Sequence, residues 1–139
     1  MNKLPVEHGA EYTHGRIAVL GPYVLASRRC KSNKKEHQEY YLLNTNLEPL
    51  EFKEIEVPAK KHLQYLGLCE KKGVVFAIAL YNVNLAHLLA ISHGRLVILY
   101  PNLDFKCGDI NGALWLPSNE NREELLIYGK DGLHVTKLE

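Results

Sequence analysis

The sequence predicts an all-β protein built from antiparallel strands, and three observations support that fold class. Apolar segments of strand length recur about every 8–12 residues, with turn residues between them. No segment has a helical pattern long enough to be assigned as a helix. A unit of strand, loop, strand and turn also recurs about every 45 residues, over Arg16–Cys30, Leu63–Leu80 and Ala113–Leu138.

Residues 1–37 are predicted to contain an irregular lead-in, a pair of strands and a loop. The lead-in covers residues 1–14, where proline, glycine and polar groups interrupt any regular pattern. The strand pair that follows bends at Gly21-Pro22, because proline cannot donate a hydrogen bond to a ladder. Residues 31–37 have no apolar side chain and are expected to form a solvated loop.

Residues 40–57 are predicted to form two more strands. The first, Tyr40–Asn44, ends in a turn over Asn44-Thr45-Asn46. The second, Leu50–Val57, alternates apolar and charged residues, which is typical of a half-buried strand with one wet face. A one-residue slip of this alternation near Lys53-Glu54 predicts a β-bulge.

The segment from residue 63 to residue 100 is the most apolar part of the chain. Val74–Tyr81 and Leu96–Tyr100 are nearly continuous apolar runs, and we expect strands buried on both faces. Leu85–Ile91 fits a short helix or a strand, and its place between strands favours a strand. Near the end of the chain, Lys130-Asp131-Gly132 lies between two short apolar segments, which predicts a β-hairpin.

The recurring unit predicts blades of a β-propeller, since a period of about 40–45 residues built from short strands is the spacing of such blades. A propeller typically has about four to eight blades, and roughly three are visible in the sequence. Residues 1–139 are therefore predicted to be a single all-β domain or a propeller fragment. A closed β-barrel or a sandwich is the alternative, because either closes on itself at this length.

Two segments, Tyr65–Leu80 and Glu124–Leu138, each contain a strand, a charged turn and a second strand. In this they resemble the blades of WD40-like β-propellers, and the resemblance covers residues 16–138. The Gly-His and Trp-Asp dipeptides of WD40 repeats are missing from the chain, so the resemblance is to a divergent form of the class. It implies a scaffold that acts as a subunit of a large assembly.

Composition and charge remove several function classes. With 17 basic and 16 acidic residues, the formal net charge is +1, so the whole chain has no bias toward nucleic acid or acidic membranes. No apolar run is long enough to span a membrane, and the N-terminus lacks a signal peptide. Cys30, Cys69 and Cys107 are odd in number and far apart, which predicts reduced thiols in a cytoplasmic or nuclear protein.

A predicted interaction surface combines a basic stretch with two adjacent tyrosines. The side chains of a strand alternate between its faces, so the tyrosine rings must point in opposite directions and one of them is expected to be exposed. The basic stretch could meet an acidic partner or phosphates, although a solvated loop is the more ordinary explanation for it. The residues of this surface are Arg28, Arg29, Lys31, Lys34, Lys35, Tyr40 and Tyr41.

The sequence predicts a protein–protein interaction module with a protein partner. Phosphate-binding, nucleophile-elbow and zinc-protease motifs are missing, which disfavours an enzyme without deciding the question. The seven histidines show no metal-binding spacing, so neither a metal nor a cofactor is predicted. Two alternatives stay open: a small β-barrel enzyme with His14 or His87 as base beside a tyrosine or lysine, and nucleic-acid binding through residues 28–35.

Overall fold

The structure is a computed structural model that describes residues 4–6, 8–32, 36–58, 60–71, 73–81, 85–103, 110–116, 123–129 and 132–138, the last three of these ranges by their backbone alone. The residues it describes form eleven β-strands and no helix. The strands are β1 (Glu11–Leu20), β2 (Tyr23–Lys31), β3 (Glu36–Leu43), β4 (Pro49–Glu56), β5 (Leu63–Lys71), β6 (Val74–Tyr81), β7 (Leu85–Ser92), β8 (Arg95–Leu103), β9 (Ile110–Leu116), β10 (Glu123–Gly129) and β11 (Gly132–Leu138).

The strands form three antiparallel sheets in chain order. Sheet A has the order β1-β2-β3-β4, sheet B the order β5-β6-β7-β8, and sheet C the order β9-β10-β11. Each strand pairs with the next one along the chain, so every sheet is a simple meander. The first strands begin at Glu11, Leu63 and Ile110, which places successive sheets 52 and then 47 residues apart.

Sheets A and B pack face to face over one hydrophobic core. Sheet A supplies Leu25, Tyr40 and Leu42 from its central strands, and Ile55 from β4. Sheet B supplies alternate residues of β6 and β7, with leucines of β5 and β8. These residues of sheet B are Leu63, Leu66, Val75, Ala77, Ala79, Tyr81, Leu85, Leu89, Ile91 and Leu96.

Contacts between sheets follow the chain order. Strand β1 contacts β5, β4 contacts β8, and β5 also contacts β9 of sheet C. The central strands of sheet B are buried on both faces, since almost every described side chain of β6 and β7 is shielded from solvent, whereas Val97, Leu99 and Tyr100 of β8 are exposed. One face of sheet A packs on sheet B, and the opposite face is the outer face of sheet A.

The predicted fold class is confirmed: the chain is all-β and its sheets are antiparallel. Residues 85–92 form a strand, as their position between strands indicated. The alternative of one closed barrel is wrong, because the described strands form three separate open sheets.

Three local predictions need correction. The lead-in ends earlier than residue 14, because Glu11–Thr13 already pair with Arg29–Lys31 of β2. The loop predicted over residues 31–37 is shorter at both ends, since Lys31 and Glu36 pair with each other. The bulge in the β3–β4 pair lies opposite Leu42 and Leu43 instead of at Lys53-Glu54.

The predicted C-terminal hairpin is present, with one change in its turn. Gly129 of β10 is paired with Gly132 of β11, so the connection consists of residues 130 and 131. Gly132 therefore begins a strand, whereas the sequence placed it in the turn. The connecting residues themselves lie outside the part of the chain that the structure describes.

Candidate functional site

The outer face of sheet A has an apolar half that reaches solvent at both edges. Strand register aligns Ile17, Ala26, Tyr41 and Phe52 in one row across the four strands. A second row contains Val19, Val24 and Leu43. The central members of both rows are buried, whereas Ile17 and Val19 on β1 are 65% and 62% exposed. The rows therefore form a continuous apolar surface whose edges are open to water.

A shallow groove lies at the β4 side of this surface. Its volume is about 420 Å³, and it is lined by Pro5, Tyr41 and the segment Pro49–Phe52. Leu50 and Phe52 are partly exposed there, and the Phe52 ring lies 4.7 Å from the Tyr41 ring between centroids. Leu4 packs on the neighbouring buried residues of the face. The groove is thus mostly apolar and extends the apolar half of sheet A.

The other half of the outer face is polar and tightly connected. Arg28 Nε donates a 2.7 Å hydrogen bond to Glu39 Oε1. The Arg28 guanidinium lies 3.9 Å from the centre of the Tyr12 ring and 5.5 Å from that of Tyr41, so it stacks on both aromatic faces. His37 Nε2 lies 3.0 Å from Glu54 Oε2 and 3.5 Å from Glu39 Oε2. This half gathers both signs of charge on one sheet face.

A second polar group is buried between sheets A and B. Tyr40 of β3, Tyr81 of β6 and His87 of β7 have no solvent exposure. The Tyr40 hydroxyl lies 2.7 Å from His87 Nδ1 and 2.9 Å from the Tyr81 hydroxyl. The hydrogen bonds can run in series, with the Tyr81 hydroxyl donating to the Tyr40 hydroxyl and the Tyr40 hydroxyl donating to His87 Nδ1. Both hydroxyls and the Nδ1 atom are then hydrogen-bonded. Nε2 of His87 has no hydrogen-bond partner among the described residues.

Burial decides the protonation of this group. It lowers the pKa of His87 to about 4, because a low-dielectric core penalises the imidazolium ion. Burial also raises the pKa of the Tyr40 and Tyr81 phenols above their ordinary range. All three side chains are therefore neutral near pH 7. The sequence-based alternative placed a tyrosine beside a histidine base, and the structure does bring Tyr40 to His87, but in a core closed to bulk solvent.

The predicted interaction residues are dispersed. Arg29 is 4% exposed, and its guanidinium binds Glu36 and the backbone carbonyls of Pro58 and Lys61. Lys31 has an exposed side chain, whereas Arg28 is largely covered by its stacking partners. Lys34, Lys35 and the side chain of His14 lie outside the described residues. The basic residues that the structure describes thus do not form one cationic patch.

The tyrosine pair is only partly as predicted. Tyr40 and Tyr41 point to opposite faces of sheet A, since Tyr40 lies in the core and Tyr41 lies on the outer face. The expectation that one ring is exposed is wrong, because Tyr41 is only 6% exposed. Arg28, Phe52 and the other apolar residues of the outer face cover it.

Of the described side chains, those of Cys30, His37 and Glu39 are placed to hold a metal ion, because their donor atoms all lie within 4.8 Å of one another. Sequence spacing could not reveal this group, since Cys30 and His37 meet only through the pairing of β2 with β3. Alternation along β3 places Glu39 beside His37, and that part of the pattern was visible in the sequence.

Comparisons of the chain with protein families, with curated proteins and with solved structures found no match. In the described part of the chain, no helix has the length and apolar character needed to span a membrane.

Proposed function

We propose that this protein is a protein–protein interaction module of the divergent β-propeller type, and that it works as a subunit of a larger assembly. The surface that binds the partner is the apolar half of the outer face of sheet A. The occupant we propose is the apolar face of an antiparallel sheet in a second copy of this chain, which would stack on sheet A as sheet B does on the opposite side.

Three features of the sheets support blades of a propeller. Each sheet is a meander whose strands follow chain order. The first strands of successive sheets contact each other, β1 with β5 and β5 with β9, as the innermost strands of neighbouring blades do. The 52- and 47-residue spacings of these strands are close to the blade period of about 40–50 residues.

One observation carries the proposal for a partner: the outer face of sheet A has exposed β-branched residues at its edge. Ile17 and Val19 sit on an edge strand and stand beside buried apolar neighbours of the same rows. A contiguous exposed apolar patch marks an interaction site far more often than isolated apolar residues do. Sheet A has one apolar face packed in the core, and a second apolar face favours a second sheet as its cover.

The two alternative functions, nucleic-acid binding and catalysis by a histidine base, have less structural support. Nucleic-acid binding through residues 28–35 could not use Arg29 for a phosphate contact, because its buried guanidinium already binds Glu36 and two carbonyls. An enzyme with His87 as base would need a substrate to reach a side chain that is fully buried between two sheets.

Light scattering of the full chain and of the double variant Ile17→Asp/Val19→Asp tests the proposal. The wild type is expected to associate as its concentration rises and to enhance the fluorescence of an apolar surface dye. The double variant should remain monomeric and bind the dye several-fold less, since two charges interrupt the apolar rows. Thermal denaturation should show that both proteins are folded.

The matched control is Val97→Asp/Leu99→Asp on β8, where two exposed apolar residues also lie on an edge strand. This variant should associate as the wild type does. The proposal fails if the wild type is monomeric at every concentration and binds the dye no better than the Ile17→Asp/Val19→Asp variant. The proposal would also be contradicted if both double variants reduced association equally, since the outer face of sheet A would then have no special role.

A further inference from the structure

We propose that Cys30, His37, Glu39 and Glu54 form a binding site for a divalent transition-metal ion of the zinc class. The site lies in the polar half of the outer face of sheet A and is independent of the apolar surface assigned to partner binding. It uses one side chain from β2, two from β3 and one from β4.

Strand register brings the four side chains to one place. Cys30 is directly opposite His37 in the β2–β3 pair, and Glu39 is directly opposite Glu54 in the β3–β4 pair. His37 and Glu39 are two residues apart on β3 and therefore share a face of the sheet. Cys30 thus lies beside His37 and Glu54 beside Glu39, with Cys30 and Glu54 on opposite sides of β3, so three paired strands gather the four side chains on one sheet face without a loop.

The distances fit a tetrahedral ion. Zinc–ligand bonds of about 2.0–2.3 Å place tetrahedral donor atoms roughly 3.3–3.8 Å apart. The donor atoms of Cys30, His37 and Glu39 lie within 4.8 Å of one another. His37 Nε2 lies 3.5 Å from Glu39 Oε2 and 3.0 Å from Glu54 Oε2. For Cys30, His37 and Glu39, side-chain movements of about 1 Å therefore give the spacing that a bound ion requires, and Glu54 reaches the site from the rim beside His37.

The chemistry of the donors selects the class of ion. Thiolate and imidazole together favour zinc and related late transition metals over magnesium or calcium, which bind oxygen ligands. Cys30 is a thiol that is 1% exposed, and His37 and Glu39 are mostly covered. Glu54 is 55% exposed at the rim and provides the solvent side of the site. Cysteine thiolate, histidine nitrogen and carboxylate oxygen are each donors that zinc accepts.

Arg28 holds one ligand in place and balances the charge. Its Nε donates to Glu39 Oε1, which leaves Oε2 turned toward His37. A hydrogen bond of this kind from outside the ligand set orients a metal-binding carboxylate. A thiolate and two carboxylates carry three negative charges, and Arg28 with a divalent ion carries three positive charges. The occupied site is therefore electrically neutral, which lowers the cost of burying it.

Metal titration of the full chain tests the site, after a chelator has removed bound ions. Co²⁺ should produce the visible bands of a tetrahedral ion and a thiolate-to-metal charge-transfer band, with one equivalent per chain. Zn²⁺ should displace Co²⁺ and raise the melting temperature. Cys30→Ser should lose the charge-transfer band, and His37→Gln should bind Zn²⁺ at least about 10-fold more weakly.

Two controls and one mild variant keep the test decisive. Cys69→Ser removes a buried thiol from sheet B, and His93→Gln removes an exposed histidine, so both should bind Zn²⁺ like the wild type. Glu54→Gln changes an exposed side chain, so it should fold normally and weaken Zn²⁺ binding several-fold. The proposal is overturned if the wild type shows no charge-transfer band, if the band persists in Cys30→Ser, or if Glu54→Gln and wild type bind Zn²⁺ equally.

Discussion

At the scale of single residues, the Tyr40–Tyr81–His87 group shows how a core can contain polar side chains. A buried hydroxyl or imidazole is costly unless it is hydrogen-bonded. The Tyr40 hydroxyl of sheet A is hydrogen-bonded to His87 Nδ1 and to the Tyr81 hydroxyl, both of sheet B, so these buried polar atoms satisfy one another across the two sheets. The group therefore fixes how the two sheets are placed on each other, in addition to filling space.

Replacement of Tyr40 by phenylalanine should remove this link. We expect Tyr40→Phe to lower the free energy of unfolding by about 1–3 kcal/mol, since it leaves His87 Nδ1 with only the longer contact to Tyr81. Tyr81→Phe should cost less, because the 2.7 Å bond from Tyr40 to His87 remains. Urea denaturation measures both. Tyr100→Phe, at an exposed position, should match the wild type within about 0.5 kcal/mol.

Stability should also depend on pH through His87. Its pKa is about 4 in the folded protein and about 6.5 in an unfolded chain. Above pH 6.5 both states are neutral and the group has no effect. As the pH falls toward 4 only the unfolded state gains a proton, so the wild type should lose about 3 kcal/mol.

The comparison that isolates this effect is His87→Gln, which cannot titrate in this range. Unfolding free energies of the two proteins should converge as the pH is lowered from 7 to 4, with the wild type falling more steeply. If the two curves run parallel, the histidine is not buried in its neutral form. Other titrating groups shift both curves alike and do not affect their difference.

At the scale of strands, Arg29 ties the β2–β3 pair to the connection between sheets A and B. Its guanidinium donates to Glu36 at the start of β3 and to the carbonyls of Pro58 and Lys61, which lie between β4 and β5. The hydrogen bond from Arg29 also lowers the pKa of the Glu36 carboxyl. One buried cation thus satisfies carbonyls of a segment that has no ladder partner for them.

Removal of the Arg29 side chain should lower the free energy of unfolding substantially. Arg29→Ala removes the side-chain donor to the Lys61 carbonyl and one of two donors to the Pro58 carbonyl, which keeps the N–H of Lys61. It also leaves Glu36 without its main partner, so we expect a cost of about 3 kcal/mol. Lys31→Ala is the control, because its exposed ammonium lies 4.0 Å from the same carboxylate and should contribute less than about 0.5 kcal/mol. Thermal and urea denaturation of both variants provide the measurement. Equal stability of the two variants would show that the hydrogen bonds of Arg29 do not stabilise the connection between sheets A and B.

The strands could be predicted because their determinants are local, whereas the candidate sites depend on register. Gly21-Pro22 and Asn44 mark turns in the sequence itself, and the Asn44 side chain accepts two backbone N–H groups of its own turn. Cys30 meets His37, and Glu39 meets Glu54, only when three strands pair. Burial was harder to predict. The expectation of two buried faces holds along most of Val74–Tyr81 but is wrong for Leu96–Tyr100, where Val97, Leu99 and Tyr100 are exposed because β8 is an edge strand.

At the scale of the whole molecule, the three sheets are not equally protected. In sheet B the central strands β6 and β7 are buried on both faces and have a hydrogen-bonded neighbour on each side. Sheet A has one buried face and one face with open edges, and its strands β1 and β4 are the edges of the sheet. Local opening should therefore begin in sheet A, where fewer contacts must be broken.

Hydrogen–deuterium exchange of the full chain can measure this difference strand by strand. Amides of β6 and β7 should exchange only through global unfolding, so their rates should follow the unfolding free energy as urea is added. Amides of β1 and β4 should exchange faster and depend little on urea, because their opening exposes little new surface. If association covers the outer face of sheet A, protection of β1 and β4 should rise with protein concentration in the wild type and stay constant in Ile17→Asp/Val19→Asp. Uniform protection across sheets A and B at low concentration would contradict this order of opening, and it would mean that the exposed rows of sheet A are no weaker than the core of sheet B.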